Sequence, residues 1–147
     1  MKPTQLSGVF KDYQLRSTPV REEILEILIR KEMALSLADL KPHLSGASDR
    51  ATVYRTLKTF LDKGIIHRVP DGGNTKYAVS GRSGLSTRDG HEHVHFKCAQ
   101  CGLTRCLEGV RIPEVRLPEG YAPREANLLV EGLCQTCSRA VTTLAAV

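Results

Sequence analysis

The sequence predicts an α+β chain in two unlike parts: three helices closed by a β-hairpin, then a small cysteine-stapled α/β half. Three observations carry this. Capping signals and 3.6-residue apolar periodicity dominate residues 19–64, and two-residue alternation takes over from Ile65. All five cysteines and three of the five histidines fall beyond residue 90. Between the halves, residues 80–90 hold three glycines, three serines and a threonine, which reads as a linker. The expected organisation is thus 1–80, a hinge over 81–90, and 91–147.

The first convincing helix starts at Thr18-Pro19, a capping hydroxyl followed by proline at the first helical position. Val20, Ile24, Ile27 and Leu28 then line one face of a helix over roughly 19–31. Ser36-Leu37-Ala38-Asp39 has the form of a capping box for a short helix with Leu37, Leu40 and Leu44 inward. A third helix begins near Asp49 and stops at Gly64, a residue suited to a C-terminal cap. Its buried stripe is Val53, Leu57, Phe60 and Leu61.

Another face of this third helix carries Arg50, Tyr54, Arg55 and Lys58, with Thr52 in its first turn. Such a face is either solvated surface or the face a helix presents to the DNA major groove. Arginine can bind guanine in a bidentate way, lysine neutralises phosphate, and the tyrosine ring can rest on a thymine methyl. Context favours the second reading. Ile65–Val69 and Thr75–Val79 read as strands around a Pro70–Asn74 turn, and three helices followed by a hairpin is the layout of a winged helix-turn-helix. Arg68 and Lys76 are expected to let the hairpin lean on the phosphate backbone. The net charge of +5 agrees with this, since residues 1–80 carry 13 Lys/Arg against 9 Asp/Glu and the remainder 8 against 7.

In the C-terminal half, His91-Glu92-His93-Val94-His95-Phe96-Lys97-Cys98 alternates as a strand, three imidazoles on one face and Val94 and Phe96 on the other. Strands are expected near 103–107 and 127–131, and a short helix over Ser138–Val147. Cys98-x-x-Cys101 and Cys134-x-x-Cys137 are paired knuckles whose four thiolates can complete a tetrahedron around Zn²⁺. Disulfides fit poorly with an odd number of cysteines, and a redox-active CxxC would need a βαβ setting that is missing. A second constellation is His91, His93 and His95 with Cys106 and His67. Residues 91 to 95 span about 13 Å of strand, so two of those histidines should join ligands from elsewhere. Cys106 offers a soft donor, and His67 sits on the hairpin, so an ion held there would tie the two halves together.

The segments Arg16-x-Thr18-x-x-Arg21, Asp49–Leu57, the His-x-His run before Cys98-x-x-Cys101-Gly102, and Gly132-Leu133-Cys134-x-x-Cys137 resemble the ferric uptake regulator family over nearly the whole chain. The resemblance implies a winged-helix domain and a small α/β dimerisation domain stapled by a four-cysteine zinc site. It implies a homodimer acting as a metal-responsive transcriptional repressor, whose expected partner is a palindromic operator in double-stranded DNA. Tyr54 and Arg55 then fall on base-reading positions, Cys98, Cys101, Cys134 and Cys137 on structural zinc ligands, and His93 and His95 on sensing ligands.

Gly64-Ile65-Ile66-His67 and His91 match the zinc uptake regulator type, and Cys106 stands where an acidic ligand is usual. Ala78 and Ala126 replace other expected ligands, and Leu35 stands where peroxide sensors place a histidine. Zinc is therefore the expected regulatory ion, with iron (Fe²⁺) or manganese as the alternative. Two readings from other classes stay open, a zinc-dependent hydrolase using the histidine cluster and a zinc-stabilised interaction module. Apolar runs of only a few residues and a polar N-terminus predict a cytoplasmic protein without a membrane span.

Overall fold

The computed structural model describes residues 3–46, 48–80, 93–123 and 126–144. The linker expected over 81–90, together with His91 and Glu92, lies outside them. Helix α2 (Pro19–Lys31) starts as expected, with the Thr18 hydroxyl accepting from the Arg21 N–H. The short α3 (Leu37–Leu40) opens on a complete capping box, in which Ser36 N–H donates to the Asp39 carboxylate and Asp39 N–H to the Ser36 hydroxyl. Helix α4 (Arg50–Asp62) is capped by Asp49, whose carboxylate accepts from Thr52 N–H at 2.6 Å. It ends at Gly64, held at φ +74°, where Ile65 N–H reaches back to the Phe60 carbonyl.

One helix has no such announcement. Helix α1 (Pro3–Asp12) precedes the first one read from the sequence. It contains Gly8 and lacks an acidic first turn, so tertiary burial holds it: Leu6 and Phe10 are buried, and the Phe10 ring lies 6.2 Å from that of Phe60. With Ile24, Leu25, Leu28, Leu40, Val53 and Leu57 they form the main core.

The hairpin is tighter than expected. Strands β2 (Ile66–Asp71) and β3 (Asn74–Val79) pair through Asp71 and Asn74, so the turn is Gly72-Gly73 alone, both at positive φ. A two-residue strand β1 (Leu35–Ser36) adds to β3, giving the order β1-β3-β2. Alternation splits this sheet into two working faces. Leu35, Ile66 and Tyr77 turn to the helical core, whereas His67, Val69 and Asp71 on β2, with Ala78 and Lys76 opposite them on β3, turn to the C-terminal half.

That half is a three-stranded sheet with β4 (His93–Cys98) between β5 (Thr104–Arg111) and β6 (Leu128–Gly132); β4 runs antiparallel to β5 and parallel to β6. Strand β5 is longer than predicted. Helix α5 (Gln135–Leu144) starts before Ser138, which places Cys137 in its first turn. Among the described residues of this half, only Val94 and Cys98 are buried apolar side chains.

Candidate metal centres

The four-cysteine site grows out of two strand ends. Cys98 closes β4, and Gly102, at φ +73°, lets its N–H return to the Cys98 carbonyl at 3.0 Å and closes the first knuckle. Cys134 follows β6 and accepts from Ser138 N–H, opening α5. The parallel β4–β6 pairing sets Cys98 beside Gly132, where the Phe96 ring lies within van der Waals reach of a Cβ position, so the two knuckles meet.

The four thiols lie within 4.8 Å of one another. Cys101 Sγ and Cys134 Sγ are 3.8 Å apart. That is no disulfide, and it is the edge of a tetrahedron whose centre lies about 2.3 Å from each sulfur, the Zn–S length. The environment separates the thiols electrostatically. Backbone N–H groups of Cys101 and Cys134 push the Cys98 thiol down to about 6, while hydrogen bonding with Cys134 and burial push Cys137 up to about 12. Packed thiolates repel, and a dication is what relieves that repulsion. The cluster is compatible with a structural zinc site.

A second cluster bridges the halves. His67 Nε2 on β2 lies 3.3 Å from His95 Nε2 on β4, and Cys106 Sγ on β5 lies 3.3 Å from His67 Nε2. The register explains the convergence, because His95 and Cys106 are direct partners across β4 and β5. Both imidazoles are buried and Cys106 is half-buried. Nitrogens held about 2.05 Å from a tetrahedral zinc stand about 3.3 Å apart, so these donors fit such an ion. His93 opens β4 beside them, at a bulge between His93 and Val94; its side chain is outside those described.

Around Lys76 the structure also gathers Asp71, Lys97 and Thr104, which the sequence did not single out. Asp71, two strand positions beyond Val69 on the same face, is buried between Lys76 Nζ at 2.6 Å and Lys97 Nζ. Burial alone would raise its carboxyl, but hydrogen bonds from the two lysines outweigh burial and hold it below the usual carboxylate range. Lys76 Nζ also donates to Thr104 Oγ1 at 2.9 Å, and Ala34 N–H to the Thr104 carbonyl at 2.8 Å.

Lys76, expected to lean on the phosphate backbone, is engaged by Asp71 and Thr104. It pairs with Val69, whereas Arg68 pairs with Tyr77, so the two basic residues occupy opposite faces of the hairpin. Arg68 is exposed; Lys76 is turned inward to Asp71 and Thr104. On α4, Arg50, Tyr54, Arg55 and Lys58 are all exposed, and Thr52 is half-buried. Lys58 pairs with Asp62 at 2.9 Å, an exposed contact that exchanges readily for another partner.

Residues 12–117 match the Ferric uptake regulator family. The chain belongs to that family. The zinc uptake regulation protein of Escherichia coli K12 is 31% identical over 140 residues, spanning 90% of this chain and 79% of the relative. A ferric uptake regulation protein of Staphylococcus epidermidis is 27% identical, over 89% of this chain and 93% of the relative. Among solved structures, a zinc uptake regulator complexed with zinc and DNA superposes with a TM-score of 0.70 at 24% identity, covering 95% of this chain and 94% of that one. As a family member the chain is a metal-responsive, DNA-binding transcriptional regulator and not an enzyme, which removes the hydrolase and interaction-module readings. No helix among the described residues is long and apolar enough to cross a membrane.

Proposed function

We propose that this protein is a zinc-responsive repressor of metal-uptake genes that acts in the cytoplasm as a homodimer on a palindromic operator. Residues 1–80 form the DNA-binding part, 81–90 the hinge, and 91–147 the metal-binding dimerisation part. Cys98, Cys101, Cys134 and Cys137 hold the structural zinc. His67, His95 and Cys106 hold the regulatory ion, with His93 or His91 completing its shell. The observation that carries this reading is the meeting of a hairpin histidine with donors from two strands of the other half. Two imidazoles and a thiolate are a donor set suited to zinc rather than to the harder ferrous or manganous ions.

A bound dication supplies the positive charge on which the three donors converge. The chain's own residues do the rest. His67 anchors the inner face of β2 to β4 and β5, while Ile66 and Tyr77 on the outer face pack into the core that α4 shares through Leu57 and Phe60. The hairpin and α4 therefore move together. Fixing His67 fixes the spacing of the two α4 helices in a dimer, so that both can enter successive major grooves about 34 Å apart. Arg50, Thr52, Tyr54, Arg55 and Lys58 then face the duplex, with Arg68 at the backbone.

The test is operator binding by the chelated protein, still carrying its tightly held ion, titrated with zinc, ferrous iron and manganese. Zinc is expected to tighten binding about 5- to 150-fold, at lower free concentration than the other two. Affinity unchanged by every ion would overturn the switch. A response at lower free ferrous iron than zinc would make this an iron sensor, nearer to the ferric uptake regulation protein of Staphylococcus epidermidis.

A further inference from the structure

The junction between the halves is layered. On β2 the inward face runs His67, Val69, Asp71; on β4 it runs His95, Lys97; on β5, Cys106, Thr104. One end of this stack is the His67–His95–Cys106 cluster. The middle is a small apolar contact of Val69, Ala34 and Ala78 with Cys106. The other end is ionic: Asp71 between Lys76 and Lys97, with Thr104 taking a hydrogen bond from Lys76. The four-carbon stem of Lys97 makes up the two-residue difference between the spacings on β2 and β4.

We infer that Asp71, clamped by Lys97 and Lys76, is the positioning residue of the regulatory site: it holds the hairpin in the register that brings His67 onto His95 and Cys106 before any ion arrives. This rests on the regulatory role proposed above for those three donors. The apolar layer is too small to set that register alone, since Val69, Ala34 and Ala78 offer little area and no direction. A buried carboxylate between two ammonium groups does have direction. Asp71 and Lys76 belong to the hairpin and Lys97 to β4, so the clamp joins the same two halves that the donors join. Its work is preorganisation: donors already in contact need no ordering when the ion binds. A carboxylate that merely stabilised the fold would leave ion affinity unchanged.

Cobalt(II) reads the site directly in the full-length protein with the four-cysteine site filled by zinc, because a Cys106 thiolate–cobalt bond has its own near-ultraviolet charge-transfer band. Wild type is expected to take up one cobalt with that band. Asp71→Asn, which keeps shape and loses charge, is expected to bind cobalt about tenfold more weakly with the same band at saturation. Its zinc-dependent operator binding should move to about tenfold higher free zinc and reach the same plateau. Asp71→Glu should recover most of the loss. Lys97→Gln reads the clamp from the other half, so a folding defect in one variant leaves the other to decide. Wild-type cobalt affinity in a folded Asp71→Asn or Lys97→Gln protein overturns this inference alone. A wild-type chain that takes up no second ion overturns the regulatory-site reading, and this inference with it.

Discussion

The two candidate metal centres differ less in chemistry than in what they join. The four cysteines all come from the C-terminal half, two at the end of β4 and two at the β6–α5 corner, and they staple elements of one small sheet. His67, His95 and Cys106 come from both halves, the first of which is held in shape by its own apolar core. On the proposed reading, an ion at the first site would substitute for a hydrophobic core, and an ion at the second would choose between arrangements of parts already folded. Affinity follows the same division. A site whose loss unfolds its surroundings holds its ion tightly, whereas a site that only orients two bodies can exchange its ion as supply changes.

Breaking each site should therefore have different consequences. The largest effect is expected from Cys98→Ser. With Val94 and Cys98 as its buried apolar side chains among the described residues, the C-terminal half is expected to depend on an ion held by the four cysteines. Structural zinc is worth about 10 kcal/mol or more, as much as the stability of an ordinary domain. The variant should lose bound zinc and the β4–β6 amide protection measured by hydrogen exchange. Retention of both would show that the cysteines are not the staple. His67→Ala comes next, and its signature is selective. It should keep one zinc per chain and the wild-type circular dichroism, while operator affinity stops responding to added zinc, measured by fluorescence anisotropy. If the zinc response survives, the ion that matters sits elsewhere.

What could be read in advance separates along the same line. Elements with local signals were legible: Thr18-Pro19, the Ser36/Asp39 box and Asp49 each write a helix start into adjacent residues. The CxxC spacing likewise writes a tetrahedral site into two short segments. Helix α1 was not, because its stability comes from Phe10 meeting Phe60, fifty residues away. His67 and Cys106 could be nominated by residue type, but their meeting depends on the pairing of His95 with Cys106 and on the packing of one sheet against the other. Asp71 and Lys97 were missed because a turn-like Pro-Asp-Gly-Gly drew Asp71 into a loop, whereas the two-glycine turn returns it to the strand, on the face of His67. The parity of 67, 69 and 71 was the available signal.

The smallest expected effect tests that parity, and with it the claim that the junction occupies one face of the hairpin while Arg68, exposed beside the core-facing Ile66 and Tyr77, is free to meet DNA. Each phosphate neutralised by a basic side chain contributes about 0.9 to the slope of log affinity against log salt concentration. Arg68, exposed on the outer face, should contribute; Arg68→Gln is then expected to lower the magnitude of the slope by about 0.9 per chain, or about 1.8 for a dimer. Lys76, one position out of phase in the β2–β3 register and engaged by Asp71 and Thr104, should contribute nothing. Lys76→Gln is best compared at saturating zinc, where a weakened clamp no longer limits the fraction of protein in the binding arrangement. Its slope should equal that of wild type. The converse, a slope that falls with Lys76→Gln and not with Arg68→Gln, would mean that the hairpin meets the phosphates with its inner face, and that His67 must leave His95 and Cys106 whenever DNA is bound.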